Sequence, residues 1–162
     1  MNTLFLLLGA NLGNEKKIFA QVLELLQLRV GNCVKVSSLY KSAPWGFTHE
    51  NYFYNQVLQI QTHKDAREVL QYCLQIENEL GRTRTLNSGY EARIIDIDIL
   101  YCNQEIIQQE KLQIPHPRLH LRKFTLMPLV EVAPDFIHPV FNKTQLQLLE
   151  ECGDNGIVMV ND

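Results

Sequence analysis

The sequence predicts an α+β fold in which two helices cover one face of an antiparallel sheet, in the order strand, helix, strand, strand, helix, strand. Three observations predict it. With 162 residues, 46% of them hydrophobic and 20% charged, the chain has the length of one domain with a core that needs no disulfide or metal. Its apolar residues switch between strand-like runs and helical spacing at turn signals. The order of those signals is that of a split βαβ unit.

Thr3 to Leu8 is a nearly continuous apolar run ending in Gly9, as expected of a strand buried on both faces. After the turn-rich Gly9-Ala10-Asn11-Leu12-Gly13-Asn14, Ile18, Val22, Leu25 and Leu26 recur at helical spacing, with Asn14 placed to cap and the helix ending before Gly31. Cys33 to Tyr40 reads as a second strand and Phe53 to Thr62 as a third. The loop between them, Ser42 to Tyr52, carries Pro44, Trp45, Gly46 and Phe47; aromatics there serve either a binding site or a plug over the core. Asp65 with Glu68 gives a capping box, and Ala66, Val69, Leu70, Cys73, Ile76 and Leu80 form the apolar face of a second helix up to Gly81. Arg82 to Ala92, with Asn87-Ser88-Gly89 at its middle, is predicted to be a mobile loop. Arg93 to Tyr101 is a strand that turns at Cys102-Asn103 into a short return at Glu105 to Ile107. Further helix is expected at Phe124 to Val132 and Thr144 to Glu151. The whole reads as a ferredoxin-like βαββαβ sandwich with C-terminal additions, one domain over residues 1–162.

Fifteen basic and 18 acidic side chains leave a net charge of -3, which argues against a protein that coats nucleic acid. No apolar run approaches the roughly 20 residues that cross a bilayer. The stretch Leu4 to Leu8 is flanked by Asn2 and Asn11 rather than basic residues, unlike a signal peptide. Cys33, Cys73, Cys102 and Cys152 have no metal-ligand spacing, and they read as small buried thiols in a reducing cytoplasm.

The sharpest chemical feature is Arg93-Ile94-Ile95-Asp96-Ile97-Asp98-Ile99-Leu100. Alternate residues of a strand share a face, so Asp96 and Asp98 point one way, their Cα atoms about 7 Å apart, and Ile95, Ile97 and Ile99 the other. Two carboxylates held together suit an oxygen-bound cation such as Mg²⁺ better than zinc; the alternative is a solvated face with each Asp paired to a Lys or Arg. Five of the seven arginines, Arg82, Arg84, Arg93, Arg118 and Arg122, share this region, and their planar donor forks suit phosphate oxygens, although loop arginines also serve as solubilising charge. From Arg82 to Lys123 seven basic residues stand against five acidic ones, two of which are these aspartates. Gly9-Ala10-Asn11-Leu12-Gly13 is neither a P-loop nor a dinucleotide fingerprint, and no nucleophile elbow is present.

Taken in order, Leu8-Gly9-Ala10-Asn11-Leu12-Gly13, Ser37-Ser38-Leu39-Tyr40 with Pro44-Trp45-Gly46, Phe53-Tyr54-Asn55, Leu80-Gly81-Arg82-Thr83-Arg84, Arg93 to Leu100, Ile114-Pro115-His116-Pro117-Arg118-Leu119 and Arg122-Lys123-Phe124 resemble the hydroxymethyl-dihydropterin pyrophosphokinase family along nearly the whole chain. The resemblance implies transfer of diphosphate from ATP to the hydroxyl of 6-hydroxymethyl-7,8-dihydropterin, giving AMP and the pterin diphosphate for folate biosynthesis. It implies two Mg²⁺ ions with ATP on Asp96 and Asp98. Phe53 and Phe124 are expected to sandwich the pterin, with Ser42, Ala43, Pro44, Trp45, Asn55 and Asp96 also on the substrate. Leu74, Glu77, Arg84, Ile99, Lys111, His116 and Arg122 are expected on ATP. Arg82 and Arg93 are the expected transition-state contacts, and either Asp98 or a hydroxide on the metal takes the proton. Tyr90-Glu91-Ala92 stands where the family usually has tryptophan-glycine-proline, Ala10 where it usually has serine, and Ser42-Ala43 where threonine-proline is frequent. The expected chain is a cytoplasmic monomer that binds neither nucleic acid nor membrane and has neighbouring folate-pathway enzymes as its contacts. An RNA-binding ferredoxin-like module and a Mg-dependent phosphohydrolase are the rival readings.

Overall fold

The computed structural model describes residues 1–11, 14–43, 52–84, 91–93 and 95–161, with backbone only at 81–84 and 91–93. Its elements are β1 (Asn2–Ala10), α1 (Glu15–Arg29), β2 (Asn32–Val36), β3 (Tyr40–Ser42), β4 (Phe53–Thr62), α2 (Ala66–Gly81), β5 (Arg82–Arg84), β6 (Glu91–Arg93), β7 (Asp96–Cys102), β8 (Ile107–Gln108), β9 (Gln113–Ile114), a 3₁₀ turn at Leu119–Leu121, α3 (Lys123–Val132), α4 (Gln145–Glu151) and β10 (Val158–Val160). The main sheet runs β10-β3-β4-β1-β7, with β2 also on β4, and every pairing in it is antiparallel.

Strand β1 is the axis of the fold, and its continuous apolar run has a simple cause. Leu4, Leu6 and Leu8 pack against Ile18, Phe19, Val22 and Leu26 of α1 and Val69, Cys73 and Ile76 of α2. Phe5 and Leu7 face the other way, against Leu126, Leu129 and Val132 of α3 and Leu148 of α4. Burying each such side chain contributes about 1.5–3 kcal/mol. The C-terminal additions therefore form a third layer on the sheet face that a bare two-helix sandwich leaves open. A bulge carries β7 across this arrangement. Leu6 pairs with Ile99 but Phe5 with Tyr101, so Leu100 is the extra residue, and Leu100 and Tyr101 both join the second core.

Four local expectations are corrected. Asn14 precedes α1, but its side chain makes no capping hydrogen bond. The strand expected over Cys33 to Tyr40 is two strands, β2 and β3. Ser37 both donates its N–H to Val57 O and accepts the Val57 N–H on Oγ, each at 2.9 Å, so its hydroxyl replaces a ladder carbonyl. Pairing then shifts by one residue, from Val36 opposite Leu58 to Tyr40 opposite Asn55. The loop expected from Arg82 starts as a hairpin, with Arg82 opposite Arg93 and Arg84 opposite Glu91; residues 85–90 lie outside those described. The strand expected from Arg93 accordingly begins at Asp96, and the return after Asn103 pairs β8 with β9 rather than with β7. The Asp65–Glu68 capping box is present, with Glu68 N–H donating to Asp65 Oδ1 at 2.9 Å.

The second core closes over a histidine. His138 is 3% exposed, accepts the N–H groups of Val140 and Phe141 on Nδ1, and stacks on the Phe141 ring at 4.3 Å. Burial, with the nearby His120 imidazole adding to it, pulls its pKa from 6.5 down to about 4. Between those values the unfolded chain binds the extra proton, so stability falls as pH drops through that window, by on the order of 3 kcal/mol. In urea unfolding at about pH 7 and about pH 4.5, His138→Asn keeps an acceptor for the two N–H groups and is expected to lose less stability than the parent chain. Equal losses would remove His138 as the cause.

Candidate active site

Register places the site. Directly opposed residues of antiparallel strands share a face, so Tyr40, Asn55, Gly9 and Asp96 form one row across β3, β4, β1 and β7. Val57, Leu7 and Asp98 form the next row inward. Ser42 and Phe53 form the next outward. These rows lie on the α3 side of the sheet, where Leu7 continues the second core towards solvent.

A cavity of about 290 Å³ opens over them, lined by Leu7, Gly9, Ala10, Asn11, Ser42, Phe53, Asn55, Asp96, Asp98, Arg122 and Phe124. Seven residues expected at the substrate, ATP or metal from the sequence are thus brought to one hollow. Its walls are aromatic: Phe53 is 45% exposed on β4, and Phe124 stands half-buried on the first turn of α3 with the Arg122 guanidinium 5.6 Å from its ring centre. That is cation–π distance. Asn55 is buried and donates from Nδ2 to Leu8 O at 3.2 Å, which fixes its amide. Gly9 is the floor between Asn55 and Asp96, because a Cβ there would come within 3.1 Å of Asn55 Nδ2. Leu7, Gly9 and Asn11 were not singled out in sequence as lining residues. A glycine inside a strand is the signal that could have found Gly9, since it marks close approach of backbone or ligand.

Strand β7 carries the carboxylates at an edge of the sheet, having no outer strand among the described residues. Two of its outward backbone groups are covered: Ile97 N–H donates to Glu77 Oε2 at 2.8 Å, and Leu100 O accepts from His116 N–H at 3.0 Å. Asp98 is half-buried and Asp96 exposed. Burial lowers the pKa of His116 below 6.5, Asp98 opposes the shift, and Arg122 and Arg118 reinforce it, so these four side chains share one neighbourhood. The His116 ring accepts the Arg118 N–H on Nδ1 at 3.1 Å.

The other expected residues either do not line this hollow or fall outside the described residues. Glu77 is 4% exposed on α2, Leu74 is 37% exposed on the same helix, and Ile99 faces α1 and α2 from the opposite side of the sheet. Lys111 is exposed in the turn joining β8 to β9, and Ala43 is exposed one residue beyond β3. Arg82, Arg84 and Arg93 are described by backbone alone, in the β5–β6 hairpin that follows α2 and ends three residues before Asp96. Pro44 and Trp45 lie outside the described residues. Among the described residues no three His, Cys, Asp or Glu converge on a point. Two oxygen-donor carboxylates on one face, beside a cationic wall, fit a Mg²⁺ ion that takes the rest of its ligands from phosphates and water.

Comparison with known proteins points the same way. A family model described as 7,8-dihydro-6-hydroxymethylpterin-pyrophosphokinase (HPPK) matches residues 5–134. A 2-amino-4-hydroxy-6-hydroxymethyldihydropteridine pyrophosphokinase of Porphyromonas gingivalis is 40% identical over 141 residues, 86% of this chain and 95% of that one. One of Bacillus subtilis is 40% identical over 133 residues, covering 82% and 78%, and one of Haemophilus influenzae 35% over 162 residues, covering 99% of each. In structure the chain is similar to Plasmodium falciparum HPPK-DHPS, with a TM-score of 0.75 at 19% identity over 93% of this chain. It spans 44% of that solved chain, so the likeness is one of fold over less than half its length.

Proposed function

The chain belongs to the 7,8-dihydro-6-hydroxymethylpterin-pyrophosphokinase family, and we propose from that premise how its residues divide the work. It is an ATP-dependent diphosphotransferase that acts on hydroxymethyldihydropterin in folate biosynthesis. The observation that carries the assignment of residues is the single cavity in which Phe53, Phe124 and Asn55 meet Asp96 and Asp98.

The flat ring lies between Phe53 and Phe124, and Asn55 Oδ1, the Ser42 hydroxyl, and Ala43, Pro44 and Trp45 bond its polar rim. Asn55 and Asp96 flank Gly9 across two inter-strand spacings, about 10 Å, which matches a bicyclic ring with its hydroxymethyl arm directed at the carboxylates. ATP approaches along the edge of β7. Leu74, Glu77 and Ile99 are taken as its nucleoside contacts, and Arg84, Lys111, His116 and Arg122 as its phosphate and ribose contacts. Asp96 and Asp98 hold Mg²⁺ with the nucleotide, two ions in this reading, and the metal supplies neutralisation of phosphate charge. The pterin oxygen forms a bond to the β-phosphorus as the bond from that phosphorus to the α-phosphate oxygen breaks, and AMP leaves. Asp98 receives the hydroxyl proton, and Arg82 and Arg93 bear on the charge that spreads over the transferring phosphate.

The same reading takes residues 1–162 as one pyrophosphokinase domain, monomeric and cytoplasmic. All four cysteines are free thiols, and burial pushes the Cys73 thiol up to about 12, so it stays protonated. Among the described residues no helix is long and apolar enough to cross a membrane. Solved chains that carry HPPK and DHPS together support neighbouring folate-pathway enzymes as its contacts. One assay tests the function: AMP is expected only when ATP and 6-hydroxymethyl-7,8-dihydropterin are both present. Phosphate release without the pterin would overturn it in favour of a phosphohydrolase.

A further inference from the structure

The C-terminal segment beyond α4 touches both walls of the cavity, although it lies outside the family match at residues 5–134. Asp154 Oδ2 accepts the N–H of Lys123 at 3.1 Å, and its Oδ1 accepts the N–H of Gly156 at 2.8 Å. Lys123 opens α3 between Arg122 and Phe124, both of which line the cavity. Arg122, at the N-cap position, makes no side-chain cap, and the first turn of α3 holds no acidic residue, so the Asp154 carboxylate does the capping from a distance in sequence. The chain then runs into β10, where Val158 pairs with Ser42 and Val160 with Tyr40, and Asn161 N–H donates to Leu39 O at 2.7 Å. Ser42 belongs to the opposite wall. At its other end α3 is tied to the same strand region by Glu131, which accepts from Tyr40 OH and Ser38 N–H, both at 2.6 Å. Helix α3 is thus tied towards β3 at one end by Glu131 and near the other by Asp154, whose segment continues into β10 on β3.

We propose that Asp154 is a positioning residue for the pterin: it fixes the first turn of α3 so that Phe124 stands at stacking distance from a ring seated over Asn55. The proposal rests on the assignment of this cavity to the pterin, and the experiment separates the two. Asp154→Ala, Asp154→Asn and Phe124→Ala are titrated with 6-hydroxymethyl-7,8-dihydropterin by fluorescence, at saturating Mg²⁺ and an α,β-methylene ATP analogue, and separately with the analogue alone. Asp154→Ala is expected to weaken pterin binding about fivefold, the equivalent of a lost helix cap, and to weaken nucleotide binding less, because of the proposed ATP contacts only Arg122 adjoins that turn. Asp154→Asn, which keeps one acceptor oxygen, is expected to recover part of the loss. Parental pterin affinity in Asp154→Ala beside weakened binding in Phe124→Ala would overturn the role of Asp154 alone. An equal loss of pterin and nucleotide would reduce it to general stability, and unaltered pterin binding in Phe124→Ala would remove the cavity assignment and the proposal together.

Discussion

Asp98→Asn and Asp96→Asn are each expected to lower diphosphate transfer by about a thousandfold while leaving the fold intact. The two parts of that expectation have separate causes. Asparagine is nearly isosteric with aspartate, and neither carboxylate belongs to the cores: Asp96 is exposed and Asp98 half-buried on an edge strand whose backbone ladder to β1 is untouched by the change. Asp98 has basic neighbours as well as Asp96, so removing one charge trades attraction against repulsion and is expected to change thermal stability little. In the proposed assignment the same charges would hold Mg²⁺ against the phosphates, and a neutral amide oxygen is a poorer ligand for a hard cation. Steady-state turnover across a Mg²⁺ titration, beside thermal unfolding of each variant, checks both parts. Near-parental turnover in either variant at saturating Mg²⁺ would refute the metal assignment, and a large drop in melting temperature would make the carboxylates structural.

How much of this was legible follows from what each feature depends on. The face shared by Asp96 and Asp98 needs only the two-residue repeat of a strand, and β1 needs only its apolar run, so both could be read from local sequence. The cavity also depends on register. Asn55 meets Gly9 and Asp96 because β4 and β7 are set against β1 at particular offsets; the bulge at Leu100 shifts β7 against β1, and the irregularity around Ser37 shifts β3 against β4, neither with a local signature. The hidden work of Ser37 is tertiary, since its hydroxyl takes a ladder bond from Val57. Strand β10 was missed for a related reason: Val158-Met159-Val160 is too short to announce itself and exists because β3 offers it an edge. Glu77, which the family resemblance implies as an ATP contact, has a carboxylate that also closes the backbone of β7 by accepting the Ile97 N–H.

Phe124→Ala is expected to weaken pterin binding by tens of fold and to change nucleotide affinity by less than about twofold. The ring forms one side of a slot whose other side is Phe53, and a flat heterocycle stacked on one aromatic face gains about 1–3 kcal/mol from it, or roughly five- to 150-fold. Truncation to alanine removes that face from the first turn of α3 and leaves water on one side of the bound ring. It also takes away the surface over which the Arg122 guanidinium sits at 5.6 Å, so Arg122 gains freedom without losing its charge. The nucleotide contacts proposed for Arg122, His116 and the β5–β6 hairpin are left in place, so ATP should bind much as before. Phe124→Leu restores apolar contact without the ring, and its pterin affinity is expected between those of the parent and the alanine variant. If pterin and nucleotide affinities fall together in Phe124→Ala, α3 is holding up the whole site rather than one wall of the slot. If the leucine variant matches the parent, apolar burial and not ring stacking is what binds the pterin there.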